Sequence, residues 1–443
     1  MKHDLLIIGG GLSGLFAACV ASRQGKKVKI LSYGESTLTI GSGIIDVLGY
    51  DDDGNFVANP IEGIKNVAKH HPYAKVENDV AKKALQTFME IAKAENYPYM
   101  GDVNRNRWIP TALGNFKPTC LTPYSMNSDV LFEKKHILVV GFEGMKDFYA
   151  DMVAKNLKKD FEEKKSITSL VIKSDLVNSR DLRDISSIDI AFWLEHEEGF
   201  NSFKNQLKPH VTSDTVIVLP AVLGLDPNYD LLDRLQQDLK TTFIEVFSLP
   251  PAITGLRLNK MLVSYNFCKY KRRIKPTLRL NKMLVSYAKK CGVEIIKKAK
   301  VIAAEVVDNK CKSVIVESHG RQKKFYADDF ILATGGIYGG GLIAGIGSLK
   351  EPIFNIDIEV PEVQTDWSDK KLFSKGKQLF AQFGIEVNNN LVPITKDGKQ
   401  IIDNLKIVGR NLAGYDFCYE KSGNGVALIT AYKAAMDLCK VVR

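Results

Sequence analysis

"LLIIGGGLSGLFAACVASRQGKKVKILSYG", residues 5–34, is the stretch that decides the fold. An apolar strand from Asp4 to Ile8 runs into Gly9-x-Gly11-x-x-Gly14, and a helix continues through Arg23. The first glycine permits a tight turn, the second lets a phosphate approach bare backbone, and the third lets the helix pack on the strand. The helix N-terminus adds unsatisfied N–H groups and the positive end of its dipole. Gln24-Gly25 closes the helix, and "KVKILS" is a second strand. The bare glycine spacing is a weak signal; between two strands, at the head of a helix, it is a strong one for nucleotide binding. Gly9, Gly11, Ser13 and Gly14 are therefore candidate binding residues. One position departs from the pattern. This architecture places a carboxylate at the end of the second strand, where it accepts hydrogen bonds from the adenosine ribose. Here Ser32 stands there, with Glu35 three residues further on. A serine hydroxyl can bond a ribose or phosphate, but without charge assistance. The adenosine half of a dinucleotide loses its best clamp, which tilts the reading toward a mononucleotide or a loosely held dinucleotide.

Bulk properties narrow the classes. A chain of 443 residues is comfortable for two domains, and 45% apolar with 25% charged residues is ordinary for a globular protein. No apolar stretch is long enough to span a bilayer. The N-terminal run imitates a secretory signal, but Asp4 and the glycines within it fit a strand and turn better. The net charge of +10 is spread widely, with concentrations at "KKDFEEKK" and "KYKRRIK". Basic residues are not interleaved with aromatics at regular spacing, so nucleic acid is not an expected partner. Seven scattered cysteines (Cys19, Cys120, Cys268, Cys291, Cys311, Cys418, Cys439) form no C-x-x-C unit. That suits a reducing cytoplasm and argues against an iron–sulfur cluster in this chain. His70–His71 is the one close pair among seven histidines, so no metal site is expected.

Two further glycine-rich stations follow. "DDFILATGGIYGGGL" (328–342) is a buried strand opening into Thr334-Gly335-Gly336, preceded by short alternating strands at "DNK" and "SHGRQ" turns that predict an antiparallel meander. "LKIVGRNLAGYDFCYEKSGNGVALITAYKAA" predicts a strand at 405–408, a loop carrying Gly414 and Gly423, and an amphipathic helix beginning near Gly425. A helix starting there would direct its dipole and N–H groups at the pyrimidine edge of a flavin. The order of the three stations resembles that of two-dinucleotide-binding flavoproteins. The expected fold is thus α/β: a Rossmann-like two-dinucleotide-binding flavoprotein fold with an inserted mixed α/β cap domain.

The chain also resembles, over nearly its whole length, the B subunit of anaerobic glycerol-3-phosphate dehydrogenases. The resemblance rests on "IIGGGLSGL", "LTIGSGIIDVLG" (38–49), "GNFKPTCLTP" (114–123), "VVGFEGMKDFYADMVAKNL" (139–157), "LPAVLGL" (219–225), "LPPAITGLRL" (249–258), "ATGGIYGGGL" and "GYDFCYEKSGNGVA" (414–427). It implies an FMN-containing protein, with FAD as the alternative, working with an FAD-containing A subunit plus an iron–sulfur, membrane-associated C subunit. Together such proteins oxidise sn-glycerol 3-phosphate to dihydroxyacetone phosphate and pass electrons toward quinone. A cytoplasmic chain, peripheral at the inner face of the membrane through its partners, is implied as well. The missing ribose acid agrees with FMN, and the missing cysteine clusters agree with electrons leaving through a partner. The rival readings are a stand-alone FAD oxidoreductase of the succinate or fumarate type and a non-catalytic assembly subunit.

In "GSGIID", Ser42 and Gly43 are candidates for the ribityl or N5 edge of the ring, beside the plainer reading of a turn. In "RNRWIPTALGNFKPTCLTP", Arg105, Arg107, Lys117 and Thr119 are candidates for a phosphate site, because a guanidinium fork suits phosphate oxygens and a lysine adds point charge. Arg257 joins them as a substrate candidate. It sits in a segment, "LRLNKMLVSY", that occurs without mismatch at 256–265 and 278–287, making Arg279 its equivalent. Both copies place apolar residues at helical spacing. The expected division is a discontinuous flavin-binding domain, 1–50 and 290–443, with a cap at 51–289 containing the duplication. No catalytic base is named by the sequence.

Overall fold

The computed structural model describes residues 2–34, 36–161, 164–176, 184–247, 252–267, 293–318, 320–371 and 376–440, with side chains of the 252–267 segment described to Ser264. Glu35, the "KYKRRIK" loop and the second copy of the duplication, with Arg279, lie outside these residues.

The opening strand His3–Ile8 is apolar on both faces from Leu5 onward and is buried on both, as a central parallel strand must be. It pairs in parallel with Val28–Leu31 on one side and with the end of Arg321–Leu332 on the other. Val293–Ile296 extends the sheet beyond Val28–Leu31, and Leu405–Ile407 extends it beyond Phe330–Leu332. Numbered along the chain, this parallel portion runs 3-2-1-4-5 across the seven-stranded sheet. That is the order in which strand direction of travel reverses between strands 1 and 4, opening a crevice at their carboxyl ends. Arg321–Leu332 is long enough to serve twice. Its first half closes an antiparallel meander with Lys310–Ser318, which pairs in turn with Lys300–Val307. Asp308 and Asn309 both have positive φ at the tip of that hairpin, the backbone that a two-residue turn needs to match strand twist.

Helix Leu12–Arg23 is buried at every position before Arg23, and it packs against helices Gly423–Lys440 and Ile253–Phe267. Both this helix and the C-terminal one carry buried alanines, Ala17, Ala18 and Ala21 on the first and Ala431, Ala434 and Ala435 on the second, small side chains that suit close packing. The C-terminal helix begins earlier than expected and is buried on most of its circumference rather than along one stripe. Helix Asn78–Ala94 is amphipathic and sits on the same group, its Phe88 edge-to-face with Phe16 at 6.0 Å.

A second, all-parallel sheet is formed by Thr242–Val246, Thr215–Pro220, His136–Phe142 and Ser166–Ile172 in that spatial order. In chain order it reads 4-3-1-2, so it too has a reversal point, between His136–Phe142 and Thr215–Pro220. Its strands alternate with helices Ala150–Asp160, Ser187–Glu195, Glu197–Leu207 and Asp230–Leu239, as right-handed crossovers of parallel strands require. The stretches "HILVVGF" and "TVIVLP" are the central pair of this sheet. The first copy of the repeated segment lies on helix Ile253–Phe267, with Leu258, Met261 and Leu262 buried.

Candidate functional site

The three glycine stations meet at the reversal point of the first sheet. Gly9 has φ +117°, and a Cβ there would lie 2.1 Å from the Ala333 carbonyl oxygen. Only glycine fits so close an approach. The Gly9 N–H donates to Leu31 O and the Ala333 N–H to Ile8 O, which fixes the first turn beside Thr334-Gly335-Gly336. Asn411, on the third station, clamps the second: its Oδ1 accepts from Gly336 N at 2.8 Å and Thr334 Oγ1 at 3.2 Å, while its Nδ2 donates to Leu332 O. Ser13 lies against Gly409, Gly14 packs under Gly9 O, and Ser32 lies against Gly10.

Gly11 is different. It is the N-cap of helix Leu12–Arg23 with no capping side chain, and a Cβ there would meet only Ser36 Oγ, at 3.7 Å. Gly11 thus leaves open space at the head of this helix, whose N-terminus has no side-chain cap. This is the donor set and the room that a nucleotide phosphate requires, so the residues present fit a phosphate-bearing cofactor.

The loop 41–47 lies between the third station and the segments that carry Tyr99, Lys117 and Leu121. Asn424 Nδ2 donates to Ile44 O at 2.7 Å and Gly425 N to Asp46 O at 2.8 Å, and a Cβ on Gly425 would lie 2.5 Å from Tyr73 OH. From the other side, Tyr99 OH donates to Gly43 O, Ile45 exchanges backbone bonds with Leu121, and Lys117 Nζ bonds Asp46 Oδ2 at 2.7 Å. Ser42 and Gly43 lie in this loop, Gly43 packed on the backbone of Thr254. The Gly425 amide expected to face a flavin ring is engaged by Asp46, so that part of the expectation is corrected: close packing of helix on loop takes the donor. Gly423 packs on the ring of Phe417.

Gly414 lies against His70, and next to it is a buried polar network. His71 Nδ1 accepts the Tyr73 N–H, so its proton sits on Nε2, which bonds Glu420 Oε2 at 3.0 Å. Glu420 also accepts from Lys377 Nζ, at 2.8 Å, and from Ser422 Oγ, while Lys377 reaches Asp52 at the surface. Burial alone would raise the Glu420 carboxyl; the His71 and Lys377 donors outweigh it and hold it below its ordinary value. No glycine motif pointed to Glu420 or Lys377. The only available signal was the His70–His71 pair.

The substrate candidates do not form one site. Arg107 donates to Asn127 Oδ1, Asp129 Oδ2, Met100 O and Thr122 Oγ1, and its burial holds it below its usual value. Thr119 is buried with a long 3.5 Å contact to Ile45 O. Arg105 is exposed. Lys117 is paired with Asp46. Arg257 is fully buried, its fork on both Glu245 oxygens and its Nε and Nη2 on Gly224 O. Both terminal nitrogens of Arg107 and all three nitrogens of Arg257 bond inside the fold, so neither fork is free to grip a substrate, and the assignment of Arg107 and Arg257 to substrate is corrected. Among the described residues no cluster could hold a metal ion.

The profile of a family described as FAD binding domain matches residues 4–426. The chain belongs to that family. It is also 30% identical to the B subunit of the anaerobic glycerol-3-phosphate dehydrogenase of Vibrio cholerae, over 99% of this chain and 97% of the relative. A Halobacterium salinarum protein, named as the probable B subunit of the same kind of dehydrogenase, is 30% identical over 100% of this chain and 99% of its own. The Pasteurella multocida B subunit is 28% identical over 99% of both. At that identity and coverage the chain belongs with these B subunits.

Proposed function

We propose that this chain is the flavin-carrying B subunit of a respiratory glycerol-3-phosphate dehydrogenase. The observation that carries the reading is the meeting of the Gly9–Gly14 turn, the Thr334–Gly336 turn and the Gly409–Gly425 segment at one sheet reversal point, in a chain that belongs with the B subunits. Gly11, Ser13 and the first-turn amides of helix Leu12–Arg23 would hold the phosphate, Thr334 to Gly336 the neighbouring flank, and the loop 41–47 with Gly423–Gly425 the far side. When bound, the flavin supplies a hydride acceptor for oxidation of the C2 alcohol of glycerol 3-phosphate to a ketone. Close packing of the loop 41–47 between the C-terminal helix and the cap strands would keep water out of that region.

Ser32 in place of the ribose acid supports FMN; the family description favours FAD as the second reading. An FAD-containing A subunit, together with an iron–sulfur C subunit, completes the proposed assembly, with electrons passing toward quinone and the chain peripheral at the inner membrane face. No helix among the described residues is long and apolar enough to cross a membrane. The division into 1–50 with 290–443 and a cap at 51–289 belongs to the same proposal. Co-expression with candidate partners, followed by mass spectrometry of the released flavin and its assignment to one polypeptide, tests the reading. FMN on this chain and bleaching by glycerol 3-phosphate in the complex are expected. FAD alone would overturn the FMN assignment, and absence of bleaching would overturn the substrate.

A further inference from the structure

We propose that Arg410 and Tyr415 recognise the phosphate of a phosphomonoester substrate, in a cleft between the second and third glycine stations; this rests on the flavin reading of those stations. Of the cations that residue type alone suggested, Arg107 and Arg257 are held by internal acceptors, Lys117 by Asp46, and Arg105 lies exposed at the surface. Arg410 has no ion-pair or hydrogen-bond partner for its guanidinium among the described residues. Its Cζ lies over the Phe417 ring, 4.0 Å from the centroid, and over the Tyr338 ring at 5.8 Å. Stacking holds a guanidinium by its face and leaves the N–H edge free for an oxyanion.

A second, independent observation sits beside it. Tyr415 is 2% exposed, and its hydroxyl has no hydrogen-bond partner among the described residues. A buried orphan donor is costly unless something fills the need. Both residues line one half-open cleft with Ile337, Phe380, Phe383 and Phe417. The space enclosed there is about 20 Å³, room for one water-sized group, and it opens to solvent. A phosphate would seat one oxygen in the narrow part and leave the rest at the mouth, with its carbon chain directed outward. Asp416 is the neighbouring anion. Its oxygens already accept from Cys418 N, Tyr419 N and Gln378 N, so it does not compete for the guanidinium by direct contact. The cleft adjoins the flavin region, because Gly336 packs on the Arg410 backbone and Asn411 bonds Gly336.

Calorimetric titration of the full chain with inorganic phosphate, glycerol 3-phosphate and glycerol tests this. The wild type should bind the two phosphates and not glycerol. Arg410→Ala should weaken both phosphates about 10- to 100-fold and Tyr415→Phe about fivefold, the range for bonds to a charged group and for a single bond. Lys396→Ala, at an exposed position, should change neither. Wild-type protein that ignores phosphate, or variants that bind it unchanged, would overturn the proposal. Equal loss toward inorganic phosphate and glycerol 3-phosphate assigns the site to the phosphate group itself. Flavin absorbance on the same samples reports separately on the glycine stations.

Discussion

Both parallel sheets have a reversal point, and the two are filled in opposite ways. In the first, the loops after His3–Ile8 and Arg321–Leu332 are glycine-rich, and Gly11 leaves open space at an uncapped helix N-terminus. In the second, the loop after Thr215–Pro220 offers the amides of Val222 and Leu223, and both donate to Glu245 Oε1, at 2.9 and 2.7 Å. Glu245 is in turn held by Arg257. Burial would raise this carboxyl, but the guanidinium outweighs it and keeps it ionised, below its ordinary value. An internal carboxylate thus occupies the place a bound anion would take. The same topology yields a ligand crevice where small residues leave the amides bare, and a structural ion pair where the chain supplies its own anion.

The largest effect should come from closing the first crevice. Gly9→Val puts a side chain into the Ala333 carbonyl and forces a φ of +117° on a β-branched residue. We expect at least about 4 kcal/mol of destabilisation, read as loss of soluble protein and of flavin absorbance. Next comes the second reversal point. Arg257→Met leaves Glu245 buried without its cation and should cost about 3–5 kcal/mol, measured as a lower urea midpoint at unchanged slope. Adding Glu245→Leu should recover much of that, and both changes should spare flavin binding. Recovery failing, or flavin departing with the ion pair, would break the distinction between the two points.

His71→Ala removes the acceptor of the Tyr73 amide and a donor to Glu420. A loss of about 1–3 kcal/mol is expected, with faster flavin dissociation because the third station loses its anchor. The smallest test uses a carboxylate that has amides but, among the described residues, no cation. Glu351 accepts from Ile353 N and Phe354 N and is buried, and burial pushes it up to about 7 from 4.5. Its folded form therefore binds the proton more tightly than the unfolded chain does. That contribution is fully present below pH ~4.5 and is lost as pH rises through about 7. Melting temperature should fall over that window in the wild type and fall less in Glu351→Gln. Equal slopes would show that amides alone tame a buried carboxylate, and would remove the need for Arg257 in the comparison.

How much of this was legible in the sequence follows from how local each signal is. Gly9, Gly11 and Gly14 act within six residues, so their spacing carries the turn, and the strand order then brings Thr334–Gly336 beside them. The roles of Arg107 and Arg257 were not legible, because residue type does not say which acceptors a guanidinium will meet. Glu245 reads as an ordinary strand-end glutamate until the fold sets it against Arg257. The His71–Glu420 bond spans 349 positions of chain, and no periodicity joins such distant residues. Arg410 was hidden inside a glycine-rich station, where attention falls on the backbone.

The most direct measurement is the flavin content of Gly11→Val. A Cβ at Gly11 meets nothing closer than 3.7 Å, and its φ of −84° suits any residue, so the variant should fold with the melting curve of flavin-free wild type. If bare amides at the first reversal point hold the cofactor's phosphate, the purified variant will carry almost no flavin while the wild type carries about one per chain. A variant that folds and retains its full complement of flavin would contradict the account.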